Sequence, residues 1–168
     1  RIVSLVRALK PTVTIVVGGY DPSLASDVYE DPAWDVDVIV RGEGDLTFRE
    51  LLRALEAGRD LRGIPGLSYR QGAAFVRNPD RPVSSLSGQE VALPNRAARV
   101  LTGYTFIGRP IDVVETSRGC TYDCSFCSII EMRGRNFHRL PLPQVIDDIR
   151  DAMALGARSI FFVDDNIT

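Results

Sequence analysis

The chain has 168 residues, 45% of them hydrophobic and 25% charged, a balance that suits one medium globular domain or two small ones. With 20 Lys and Arg against 22 Asp and Glu the net charge is −2 with the signs interspersed, which excludes a basic footprint for nucleic acid. The longest apolar runs, residues 12–17 and 160–163, are far too short to cross a bilayer, and the opening residues do not read as a secretory signal.

In chain order, Ile2, Leu5, Val6 and Leu9 recur at helical spacing, and Pro11 ends that helix. Because Arg1 opens the sequence and the helix is already under way, the chain is expected to be a piece of something longer. Residues 13–17 form a β-branched apolar run that predicts a strand buried on both faces, running into Gly18-Gly19. Asp21-Pro22 reads as a helix cap followed by proline in the first turn. Residues 36–40 predict the next strand, which ends in Arg41-Gly42-Glu43-Gly44. Asp45 is then expected to cap a helix that carries Phe48, Leu51, Leu52 and Leu55 on one face and stops at Gly58. This alternation argues for parallel strands with helices packed on them. Residues 66–70 and 73–77 flank Gln71-Gly72 and predict a β-hairpin.

Residues 78–110 hold four prolines and no sustained periodicity, and read as an ordered linker. A second unit begins near Ile111. Residues 112–116 predict a strand, residues 143–155 a helix with Val145, Ile146, Ile149 and Met153 inward, and residues 159–163 a further strand that runs into Asp164-Asp165-Asn166. The expected organisation is a first domain over 1–77, a linker over 78–110 and a second domain over 111–168. The second domain reads as one strand–loop–helix–strand unit of an α/β barrel or open sheet.

All three cysteines lie in one loop, at Cys120, Cys124 and Cys127. They are odd in number and too close to pair easily, so a reducing compartment and metal ligation fit better than disulfides. Their short spacing lets three thiolates converge, and their softness favours zinc, copper(I) or iron–sulfur. Structural zinc wants a fourth ligand, and His138, the single histidine, is the one candidate for a Cys₃His site; a basic surface or substrate-loop residue is its other reading. A 4Fe–4S cluster normally takes four cysteines, so three leave one iron open, as a catalytic metal requires.

Cys120-Thr121-Tyr122-Asp123-Cys124-Ser125-Phe126-Cys127 resembles the radical S-adenosylmethionine (SAM) signature C-x₃-C-x-φ-C. The resemblance implies that Cys120, Cys124 and Cys127 bind a 4Fe–4S cluster whose fourth iron is chelated by SAM. It implies that Phe126 lies against the adenine, and that SAM is cleaved to methionine and a 5′-deoxyadenosyl radical. Asp164-Asp165-Asn166 stands where that family has a Gly-Gly-Glu-like segment, so Asp164 and Asp165 become candidates for the SAM amino group; a capped loop after a strand is the alternative. Upstream, Gly18-Gly19 and Arg41-Gly42-Glu43-Gly44-Asp45 are similar to the glycine loops of the cobalamin-binding domain that precedes many radical SAM domains. That resemblance implies that Gly18, Gly19, Gly42, Glu43 and Gly44 surround the nucleotide tail of cobalamin; for Glu43 the other reading is a carboxylate favoured by a helix dipole.

The fold so implied is α/β: a partial Rossmann-like cobalamin-binding domain, then the first strands of a radical SAM (β/α) barrel. No Asp-x-His-x-x-Gly motif occurs in these residues to supply a cobalt ligand. Residues 127–138 also resemble radical SAM proteins of hopanoid biosynthesis. The expected activity is methyl transfer to an unactivated carbon of a small molecule or lipid, with a flavodoxin or ferredoxin as electron donor, in the cytoplasm. Peripheral membrane contact is compatible with it. Cyclisation or rearrangement by the same chemistry, and a non-catalytic zinc-stabilised binding module, are the rival readings. On its own the stretch is expected to be inactive, with parts of both cofactor cradles outside it.

Overall fold

The computed structural model describes residues 1–86 and 91–167, which fall into two units, Arg1–Val83 and Ser84–Thr168. Residues 87–90 of the stretch read as a linker lie outside the described residues.

The first unit opens with α1 (Ile2–Leu9), where Ile2, Leu5, Val6 and Leu9 remain exposed. Charge rather than apolar burial anchors it. Arg7 donates to Asp35 at 3.0 Å and to Asp37 at 2.8 Å, and also to the Val13 carbonyl at 2.7 Å. Strand β1 (Val16–Gly18) leads into two short helices, α2 (Tyr20–Leu24) and α3 (Ser26–Tyr29). Strand β2 (Val38–Val40) precedes α4 (Gly44–Glu56), and β3 (Leu67–Gln71) and β4 (Ala74–Arg77) close the unit as the expected hairpin. The sheet order is β1-β2-β3-β4, with β1 and β2 parallel and the remaining pairs antiparallel.

The run over 13–17 is not a strand buried on both faces. It pairs only from Val16, and β1 is the outer strand among the described residues, so its side chains stay partly exposed. The doubly buried strand is β2, where Val38, Ile39 and Val40 are all buried. Leu51 of α4 packs with Val38, Val40, Leu67 and Tyr69 into the core. Phe48, Leu52 and Leu55 do not; they are more than two-fifths exposed. Two expected caps also move. Gly19, not Asp21, precedes α2, and Glu43, not Asp45, precedes α4, which puts both aspartates inside the first turn, where the helix dipole favours a carboxylate.

The second unit holds β5 (Thr105–Phe106), β6 (Arg109–Val114), β7 (Ser117–Cys120), α5 (Ile129–Arg133), β8 (Asn136–Arg139), α6 (Leu142–Ala154) and β9 (Ser159–Phe162). Strands β6 and β9 are parallel with α6 between them in sequence, the right pattern for a β/α unit. Short β5 adds antiparallel to β6. Of the α6 residues expected inward, Val145 is buried, but Ile146 and Met153 are exposed. Asp148 is buried instead, because it faces a charge. Arg96, which is 4% exposed, donates to Asp148 at 2.5 Å, to Asp112 at 3.0 Å and to the Val113 carbonyl at 3.0 Å, pinning residues 96–98 to β6 and α6. Burial opposes the ionisation of Asp112, but its bonds to Arg99, Val113 and Arg96 outweigh this and hold the carboxyl below the usual carboxylate range. No helix among the described residues is long and apolar enough to cross a membrane.

Candidate cofactor sites

Each unit gathers its candidate residues at strand ends: those of parallel β1 and β2 in the first, and those of β7 and β9 in the second. In the first, Gly18 closes β1 against β2. A Cβ at Gly18 would come within 3.2 Å of the Val40 carbonyl oxygen, a close approach that favours glycine there. Gly19 (φ +98°) and Gly42 (φ +72°) need glycine for a different reason: both take left-handed backbone that side chains resist, while the space beside them is open. Glycine-lined strand ends of this kind leave room for a flat ligand to approach the backbone.

A residue that sequence reading missed joins the two loops. Ser23 Oγ donates to the Gly19 carbonyl at 2.5 Å and accepts from the Gly42 amide at 2.9 Å. One hydroxyl thus sets the separation of the Gly-Gly step and the Arg-Gly-Glu-Gly loop. Beside these loops lies an open, mainly apolar cavity of about 810 Å³, lined by Gly18, Gly19, Gly44, Phe48, Leu52 and Leu55 among others. The helix face that the core leaves exposed is therefore one wall of a cavity. Gly18, Gly19 and Gly44 come together there; Gly42 and Glu43 do not line it. Arg41 turns away into the sheet, where it pairs with Asp80 and donates to the Asn78 carbonyl at 2.5 Å, so its role is to brace β2 against the segment after β4. Burial, then the neighbouring Arg77, lowers its pKa.

In the second unit the cysteine loop leaves the end of β7 at Cys120 and returns through α5 to β8. Strands β7 and β8 pair antiparallel, with Cys120 opposite Asn136 and Arg118 opposite His138. All three thiols are free; Cys120 and Cys127 are half-buried and Cys124 is exposed. The Cys127 amide donates to the Cys124 carbonyl at 3.0 Å, which closes a tight turn between two of them. Phe126 projects from that turn, 89% exposed. Yet among the described residues no three Cys, His, Asp or Glu side chains meet as a ready-made metal group. The donor set still suits a thiolate-bound cluster: three free, solvent-reachable thiols in one loop, of a kind that metal binding itself draws together.

The stem of this loop, in contrast, is firmly held. Asp164 Oδ1 accepts from the Thr116 amide at 2.6 Å and the Ser117 amide at 3.2 Å. Its Oδ2 accepts from the Ser117 hydroxyl at 3.0 Å and from the Thr116 hydroxyl. Burial disfavours the charge on Asp164, but these donors prevail and keep the carboxyl below the usual range. Asp165 Oδ2 accepts from the Gly119 amide at 2.7 Å. Gly119 itself has φ +92°, and any side chain there would collide with the Asn136 carbonyl.

No family model matches the chain. An uncharacterised methyltransferase of Pyrococcus horikoshii is 32% identical over 168 residues, covering 99% of this chain and 36% of that protein. The cobalamin-dependent radical SAM methyltransferase TokK of Streptomyces tokunonensis is 34% identical over 139 residues, covering 76% of this chain and 19% of TokK. The hopanoid C-3 methylase of Methylococcus capsulatus is 28% identical over 171 residues, covering 98% of this chain and 32% of the methylase. The chain is a homologue of cobalamin-dependent radical SAM proteins. The chain is also similar to an anaerobic magnesium-protoporphyrin IX monomethyl ester cyclase of Synechocystis, 28% identical over 84% of this chain and 28% of the cyclase. The fold agrees: the radical SAM methyltransferase TsrM of Kitasatospora setae superposes with a TM-score of 0.72 at 23% identity, over 98% of this chain and 32% of TsrM. The chain thus spans about a fifth to a third of the length of these relatives.

Proposed function

We propose that the protein carrying this chain is a cobalamin-dependent radical SAM methyltransferase acting on an unactivated carbon. The observation that carries the reading is the thiol loop at the end of β7, beside the end of β9, in a chain whose glycine loops lie one unit upstream. In this reading Cys120, Cys124 and Cys127 hold a 4Fe–4S cluster with one iron left for SAM. Phe126, free of packing, offers its ring to the adenine. Asp165 spends one carboxylate oxygen on Gly119 and keeps the other for the SAM ammonium. Gly18, Gly19 and Gly44 border the cavity that takes part of cobalamin, with Gly42 and Glu43 on the loop behind them.

When bound, these groups supply a carbon radical and a methyl carrier, which reach a C–H bond that has no acidic proton for general-base chemistry to remove. The chain's part is to hold them and keep their approach fixed. An external one-electron donor such as flavodoxin or ferredoxin completes the cycle. The relative from hopanoid metabolism supports a lipid of that class as the substrate, and the cyclase relatives support ring formation as the second reading.

The test is anaerobic reconstitution of the protein followed by assay of iron, sulfide, zinc, 5′-deoxyadenosine and methylated product. Iron and sulfide with SAM cleavage are expected. Stoichiometric zinc in their place would favour the binding module, and SAM cleavage with a cyclised product would favour the second reading.

A further inference from the structure

We propose that Asp164 is a positioning residue for the cysteine loop, fixing the stem from which Cys120 projects, and does not contact SAM. This rests on the cluster reading above. Its basis is the register of the sheet. Strands β6 and β9 are parallel with Val114 opposite Phe162, and the Val163 amide still donates to the Val114 carbonyl at 3.1 Å. Continuing both chains by two residues brings Asp164 beside Thr116, where β6 has ended and β7 is about to begin. The carboxylate there receives two backbone amides and two hydroxyls. A carboxylate offers about four lone-pair positions, so all are filled from Thr116 and Ser117 and none remains for a ligand ammonium.

The consequence reaches the thiol through a short, stiff path. Thr116 precedes and Ser117 opens the strand that ends in Cys120, and the strand is fixed on its other edge by pairing of Cys120 with Asn136. Asp165 adds a bond to the Gly119 amide, next to the cysteine. The two neighbouring carboxylates therefore divide the work: Asp164 holds the stem, and Asp165 has an oxygen to spare.

The experiment compares Asp164→Ala, Asp164→Asn and the parent protein after anaerobic reconstitution. It measures iron and sulfide per folded chain after gel filtration, the thermal midpoint, and the electron paramagnetic resonance spectrum of the reduced cluster with and without SAM. Asn keeps one oxygen for the two amides, and its NH₂ can meet the rotatable hydroxyls. Asp164→Ala is expected to lower cluster retention about tenfold, as loss of an outer-shell partner does, with Asp164→Asn within about twofold of the parent and its spectrum still responding to SAM. Full iron in Asp164→Ala overturns the role, as does a lower midpoint with iron per folded chain unchanged. Iron retained in Asp164→Asn with the SAM response lost also overturns it, and assigns Asp164 to SAM. Should Asp164→Ala not fold, Thr116→Val with Ser117→Ala removes the hydroxyl donors alone; reduced iron supports the role and full iron overturns it. A parent protein without iron overturns the cluster reading and this role together, whereas iron in the parent and Asp164→Ala alike overturns this role only.

Discussion

The two units build their sites from opposite materials. In the first, backbone does the work: glycines shape two strand-end loops, one serine hydroxyl ties them, and the wall is an apolar helix face. In the second, side chains do it: three thiols project from a loop whose stem is clamped by two aspartates. Packing holds the first arrangement before any ligand arrives. The second has a stem fixed by carboxylate hydrogen bonds and a tip of three free thiols. The difference teaches that one chain can shape one candidate site chiefly with backbone and another chiefly with side chains.

The sharpest way to break the comparison is Cys124→Ala. It is expected to abolish cluster retention and SAM cleavage while leaving the circular dichroism of the first unit unchanged; retained SAM cleavage would remove the cluster reading. Next comes Gly119→Ala, which forces a side chain into left-handed backbone and against the Asn136 carbonyl. The backbone conformation alone costs about 1–3 kcal/mol, so a lowered thermal midpoint and reduced iron are expected together. Acid sharpens the contrast further. Asp112 and Asp164 both titrate below their ordinary 3.8 in the folded protein. Their stabilising contribution is present above 3.8 and is lost as pH falls through the lower folded value. The second unit should therefore lose stability below about pH 4, and Asp112→Asn should flatten that loss in a thermal-melt series. The smallest effect is expected of Ser23→Ala, which removes both hydrogen bonds that tie the loops, at about 0.5 kcal/mol each, and should weaken cobalamin retention about fivefold in equilibrium dialysis, with iron content unchanged.

Most of the fold was legible in the sequence where local pattern and packing agree. The hairpin around Gln71-Gly72, the helix over Gly44–Glu56 and the parallel pair β6 and β9 follow from alternation, periodicity and turn residues. Strands β7 and β8 were not legible, because Ser117–Cys120 and Asn136–Arg139 carry no apolar alternation and pair through a stem set by register. The burial of Asp148 was hidden for a related reason: helical periodicity counts apolar residues, and its partner Arg96 lies 52 residues away. The cysteine loop and the glycine loops could be read because their chemistry is local. Ser23 and the filled coordination of Asp164 could not, since both depend on which loop folds against which strand.

The most direct single measurement is the electron paramagnetic resonance spectrum of the anaerobically reconstituted, reduced protein, recorded before and after SAM is added. An iron–sulfur signal that changes on addition of SAM is the result expected of three thiolates that leave one iron open. A protein that binds zinc with no iron–sulfur signal, or a cluster signal indifferent to SAM, would contradict it.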